Sequence, residues 1–213
     1  LVRRLVFFGN ISCFRFINNF LYKTLMLDVF QKTISKQTEF HGIGLHSGLE
    51  SSIIILPADE NHGIIFKRTD LNENNFVKAN FENVSSAKLC TTIENNFNVS
   101  VSTVEHLLAA FYIAGIDNAL VEINAPEVPI MDGSSKEFVE SIFKAGLKNQ
   151  KAKRKYVKIL KNFEFRENEK FISIEPSENT FNVDFELVYS NKTIGKQRNQ
   201  IDFSEKELSE VYT

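Results

Sequence analysis

Glu105 and His106 stand side by side in the stretch STVEHLLAAF, residues 102–111. A carboxylate takes protons, and a neutral imidazole binds divalent metal through a ring nitrogen. Counting from Val104, the apolar residues Leu107, Leu108 and Phe111 fall at +3, +4 and +7, the spacing of a buried helical stripe. Glu105 and His106 then point off that stripe, at the start of the helix. A helix N-terminus carries about half a positive charge. That field disfavours imidazolium and favours an anion nearby, including a metal-bound hydroxide or a tetrahedral oxyanion. A plainer reading stands beside this one. Ser102 and Glu105 form an S-x-x-E pattern, so Glu105 caps the helix and His106 is an exposed polar residue. The pair is not an HExxH motif, because Ala110 occupies the position of a second histidine.

The elements around this helix follow from punctuation and alternation. QKTISKQTEFHGIGLHSG reads as strand, tight glycine loop, strand, and SSIIILPA as a buried strand ended by Pro57. HGIIFKRTDL is a short strand followed by a polar loop. ALVEINAPEVPIMDGSS is a strand, then a loop with two prolines and an Asp-Gly turn, in which Asp132 is a turn former. Asp117 and Asn118 read as helix-exit turn residues. SSKEFVESIFKAG predicts a second helix, with a capping box from Ser134 to Glu137, a face of Phe138, Ile142 and Ala145, and a Gly146 C-cap. His41 and His62 sit beside glycines in loops and receive no role. The basic run KNQKAKRKYVKILKN reads as a solvated linker, placing a domain boundary near residue 150. Beyond it, Phe181, Val183, Phe185 and Leu187 alternate with Asn182, Asp184 and Glu186, the pattern of a half-buried antiparallel sheet. The fold class is α+β, with helices covering one side of a sheet.

The 213 residues suffice for one large or two small domains. A net charge of −2 gives no nucleic-acid signal. Two distant cysteines, Cys13 and Cys90, argue against a disulfide scaffold and fit a reducing compartment, the cytoplasm. The chain starts at Leu1, with Met26 the first methionine. Residues 1–25 hold four basic residues and no acid, and read as an upstream or targeting extension. No apolar run there reaches the ~18 residues of a membrane span. FSEKELSEVYT at the other end reads as a helix cut mid-run.

The combination VEHL, GIDN and PEVPIMDGSS, with FHGIGLHSG, IIFKRTDL and LCTT in matching order, closely resembles the UDP-3-O-acyl-N-acetylglucosamine deacetylases. These are zinc enzymes of the committed step of lipid A synthesis. The resemblance runs from about Thr33 to the end of the chain. It implies two domains of similar two-layer sheet-on-helix topology: residues 26–150 as the first, and 151–213 as the start of a truncated second. It implies His106 as a Zn2+ ligand and Glu105 as the general base. His46 matches a non-ligand histidine near the active site, and Leu89 and Cys90 match a bordering segment. For Cys90 the alternative is a small buried hydrophobe. The family's second histidine ligand, its aspartate ligand and a further catalytic histidine lie in an H-K-x-x-x-D region of the second domain and beyond. None of His41, His46 and His62 matches it. The implied substrate is UDP-3-O-acyl-N-acetylglucosamine, with acetate released, no nucleic-acid partner, no membrane span and a monomer when complete. This chain alone is expected to be an inactive fragment. The alternative is a non-catalytic α+β binding module, since fold does not fix function.

Overall fold

The computed structural model describes residues 6–7, 30–177 and 181–202. The expectations for most of residues 1–25 and for the helix of FSEKELSEVYT lie outside the described residues.

The described chain divides into two compact units, one covering residues 30–154 and the other residues 155–202 with Val6–Phe7. In chain order, the elements begin with the strand β1 (Val6–Phe7). The larger unit holds β2 (Phe30–Ile34), β3 (Thr38–Ile43), β4 (Glu50–Pro57), β5 (Ile64–Arg68), β6 (Phe76–Lys78), β7 (Val84–Ser86), β8 (Thr92–Glu94), β9 (Ser100–Val101), α1 (Glu105–Ala114), β10 (Ala119–Ile123), α2 (Lys136–Ala145) and β11 (Leu147–Lys153). Then come β12 (Phe163–Glu167), β13 (Lys170–Ile174), β14 (Asn182–Val188) and β15 (Lys196–Asp202).

The main sheet of the larger unit has the order β3-β4-β10-β5-β6. Its central strand β10 runs antiparallel to β4 and parallel to β5. The register sets Val121 opposite both Ile55 and Phe66, all three fully buried. On β4 the alternation is direct: Ser51, Ile53 and Ile55 are buried, whereas Ile54 lies between Glu39 and Glu122 on the other face. The apolar stripes of both helices complete the core through Leu107, Phe111, Phe138, Val139 and Ile142. Phe138 on α2 meets Phe40 on β3 edge to face, with ring centroids 4.8 Å apart. This is the α+β, sheet-on-helix layering that the patterning predicts. Two small sheets, β11-β2 and β7-β8-β9, finish the unit.

Three local expectations are corrected. The basic run after residue 147 is not a solvated linker up to Arg154: β11 pairs antiparallel with β2, with Leu147 opposite Ile34 and Lys153 opposite Phe30. Its lysines occupy the exposed positions while Gln150 and Ala152 turn inward, so a strand hides inside a charge run. Arg154 is buried, and its guanidinium holds the Asp117 carboxylate and the Gly115 carbonyl. Asp117 and Asn118 are thus more than turn residues: Asn118 is buried and bonds Gln31, Gln150 and the Gly63 amide. His41 lies on β3, not in a loop, with Nδ1 2.8 Å from Ser52 Oγ.

The second unit's sheet has the order β12-β13-β1-β14-β15. Burial along β14 does not alternate as expected: Val183 and Asp184 are both buried while Phe185, Glu186 and Leu187 are all half-buried, and Arg198 and Gln200 from β15 bind the Asp184 carboxylate. An acid on the face that patterning leaves to polar groups is buried here because its charge is paired.

Phe138 is fully buried, whereas Phe143 on the same helix is 42% exposed. Phe138→Ala is expected to destabilise the larger unit by about 3–5 kcal/mol. Phe143→Ala should cost well under half of that, and chemical denaturation of the two variants measures the difference.

Candidate active site

Helix α1 starts at Glu105 itself, later than the S-x-x-E pattern implies. Its N-cap is Val104, with no side-chain capping bond, so the predicted Ser102–Glu105 capping box does not form. Ser102 is held elsewhere: its amide donates to the Pro126 carbonyl and its carbonyl accepts from the Val128 amide. The Glu105 carboxylate, freed from capping, turns to the loop before β8. Its Oε2 accepts from the Thr91 amide at 3.0 Å. Oε1 takes no hydrogen bond among the described residues, so the carboxylate is anchored by one oxygen and open at the other. The second helix departs from prediction in the same way. Its N-cap is Ser135, also without a side-chain cap. Ser134 sits in a turn in which Asp132 Oδ1 accepts from its amide and hydroxyl, each at 2.8 Å, while its own Oγ accepts from the Lys136 amide at 3.1 Å rather than from Glu137. Gly115 and Gly146 close the two helices at positive φ.

His106 follows Glu105 and is half-buried. Its carbonyl accepts from the Ser135 hydroxyl at 2.9 Å, which ties the start of α1 to that of α2. Its imidazole makes no hydrogen bond among the described residues. Thr91, which contacts Glu105, follows Leu89 and Cys90 in the chain. Leu89 is 77% exposed and takes a positive φ of 69°, while Cys90 is buried, with Sγ 3.9 Å from Thr92 Oγ1. The Thr91 side-chain oxygen is buried with no partner among the described residues.

Sequence reasoning overlooked Glu127. It sits in PEVP, where proline on either side suggests a surface loop, yet it is 1% exposed. Its carboxylate accepts the His46 amide at 3.0 and 3.2 Å, the Ser47 amide at 2.7 Å and the Thr103 hydroxyl at 2.7 Å. Burial pushes this carboxyl upward, but the hydrogen bonds from Ser47, the His46 amide and Thr103 outweigh it and hold it below the ordinary glutamate range. His46 is exposed and is fixed to the rest of the site through its backbone. Gly44 is required here, because a Cβ at that position would collide with Ser47 and with the Glu127 carboxylate. Thr103 has φ 55°, a left-handed conformation that costs a β-branched residue about 1–3 kcal/mol.

Zinc fits the described residues only in part. A catalytic zinc takes three protein ligands. No three His, Cys, Asp or Glu side chains converge as a metal site among the described residues. His106 and Glu105 fall short of that set, so no chemistry of the ion follows from this geometry. No helix among the described residues is long and apolar enough to cross a membrane.

The fold is an α+β domain in which a carboxylate and an imidazole stand side by side at a helix start. Residues 31–212 match the family LpxC, described as UDP-3-O-acyl N-acetylglycosamine deacetylase, and the chain belongs to that family. Among curated relatives named UDP-3-O-acyl-N-acetylglucosamine deacetylase, that of Geotalea uraniireducens is 41% identical over 184 residues, covering 86% of this chain and 59% of the relative. Those of Shewanella frigidimarina and Shewanella denitrificans are each 39% identical over 178 residues, covering 83% of this chain and 58% of theirs. The chain therefore spans a little under three fifths of the length of these relatives.

Because the folded pKa of Glu127 is depressed, the stability it adds is fully present above the ordinary value of 4.5 and is lost as pH falls through the lower folded value. In denaturant titrations at stepped pH, the stability gap between the native chain and Glu127→Gln should hold at neutral pH. It should close only below 4.5.

Proposed function

We propose that the chain is the first domain, with the opening of the second, of a UDP-3-O-acyl-N-acetylglucosamine deacetylase of lipid A biosynthesis. On this reading the first domain runs from residue 26 through β11 to residue 154, later than the boundary near 150 expected from composition; residues 155–213 begin the second, and residues 1–25 are an extension. The observation that carries the reading is the Glu105 carboxylate, held through one oxygen by the Thr91 amide and adjacent to His106. The family match over residues 31–212 supports it.

The reaction is hydrolysis of an acetamide. Glu105 takes a proton from water as the water oxygen attacks the acetyl carbonyl carbon. The C–N bond then breaks, the nitrogen takes a proton, and acetate leaves a free amine on the sugar. A fixed carboxylate with one open oxygen suits this transfer, because general bases act within hydrogen-bond reach of the proton they remove. His46 and the Leu89–Cys90 segment border the same centre. His106 supplies one ligand for Zn2+, an ion that polarises carbonyls and acidifies water when bound. The remaining ligands come from outside the described residues. The enzyme works in the cytoplasm, without nucleic acid and as a monomer when complete.

Two measurements test this. After dialysis against chelator, the 213-residue chain should retain far less than one zinc per chain and turn over no substrate; stoichiometric zinc would refute the shared ligand set. Fused to the portion of the Geotalea uraniireducens relative that it does not cover, the chain should deacetylate. Glu105→Gln in that fusion should then lower kcat by about 10²–10⁴-fold with zinc retained. His106→Ala should lose zinc and activity together. Zinc loss in Glu105→Gln would make Glu105 a ligand, and an inert fusion with bound zinc would favour a non-catalytic binding module.

A further inference from the structure

We propose that Glu127 is the positioning residue of this site. Its buried carboxylate fixes, at one point, the loop that carries His46 and the strained turn that launches Glu105 and His106. The inference rests on the reading of Glu105 and His106 as the chemical residues.

Thr103 is two residues before Glu105. At φ 55° it stands in a backbone region that a β-branched side chain avoids, so something must hold it there. The hydroxyl bond to Glu127 Oε1 at 2.7 Å does so. The residue before it is locked to the same stretch of chain, whereas on the other side the Val104 amide donates to the Thr91 carbonyl. Ser102 and Glu127 form an isolated parallel bridge, with the Ser102 amide on Pro126 and the Val128 amide on Ser102. The backbone of Glu127 is itself anchored to β4, because the Ser51 hydroxyl donates to the Glu127 carbonyl at 2.6 Å. From this fixed base, the carboxylate reaches across to the His46 and Ser47 amides. The direction in which α1 leaves Thr103 decides where Glu105 meets the Thr91 amide. Glu127 touches neither that carboxylate nor the imidazole; it acts through Thr103.

Backbone amide resonances and hydrogen exchange of the 213-residue chain test the proposal. Thr103→Val replaces the hydroxyl with a methyl of similar size and should move the resonances of Thr91, Glu105 and His106. Thr103→Ser keeps the hydroxyl and should leave them in place. Glu127→Ala should move the same resonances and speed exchange of the Ser47 amide roughly tenfold, the equivalent of one lost hydrogen bond. Adding Thr103→Gly, which takes positive φ without strain, should return Thr91, Glu105 and His106 to their native positions while Ser47 still exchanges fast. If Glu127→Ala fails to fold, the Thr103→Val and Thr103→Ser pair decides alone. The proposal is overturned if Thr103→Val leaves the three resonances unmoved, or if Thr103→Ser moves them as far. It is also overturned if the variants displace β10 resonances such as Val121 as strongly as those of α1. Neither zinc nor substrate enters this test, so its failure is distinct from failure of the catalytic reading, which the Glu105→Gln assay decides.

Discussion

A carboxylate with almost no solvent is the constraint around which this site is organised. Taken alone, a buried glutamate is costly, and its charge survives only where donors replace water. Glu127 finds those donors in two backbone amides and a hydroxyl drawn from positions some 24 to 81 residues distant in sequence. Each donor is thereby committed to one place. The β3–β4 loop cannot lift without exposing two amides and stranding a charge. The turn before α1 cannot relax from its left-handed conformation without losing the same partner. Geometry around Glu105 and His106 is therefore set by an acid that does no proton transfer of its own.

The two acids divide the labour by environment. Glu127 is saturated with donors and held ionised, whereas Glu105 keeps one oxygen anchored and the other open. Saturation makes a carboxylate structural, and an open lone pair leaves it able to take a proton. Thr91 links the loop at Leu89 and Cys90 to this second carboxylate, and Ser135 links the starts of α1 and α2 through the His106 carbonyl. The two helix starts are thus joined by a side chain that capping rules would have assigned to its own helix.

Much of the architecture could be read from residue order. The strand at β4, the apolar stripe of α1 and the Gly146 C-cap each follow from local rules that tertiary contacts leave intact. The Glu105–His106 pair was visible because both residue types carry chemistry and stand off the apolar stripe. Glu127 was not visible: between prolines it looks like loop, and its partners become neighbours only after β3, β4 and α1 have folded. Both capping boxes misled for a related reason. S-x-x-E describes what a helix end can do for itself; here Thr91 drew Glu105 away, and Ser134, held by Asp132, reached the Lys136 amide in place of the one the pattern names. Likewise the lysines of 148–153 drew attention to charge, while the alternation of Gln150 and Ala152 beneath them carried the strand.

The pairing of β2 with β11 has a consequence for biosynthesis. Phe30 lies opposite Lys153, so the first strand of the larger unit finds its neighbour only in the last. During translation, nascent β2 must wait with an unmatched edge until more than a hundred further residues have left the ribosome. Such high contact order slows folding and leaves a strand edge open to wrong pairing in the meantime. Completion of this unit is therefore a late event, sealed when Arg154 reaches Asp117.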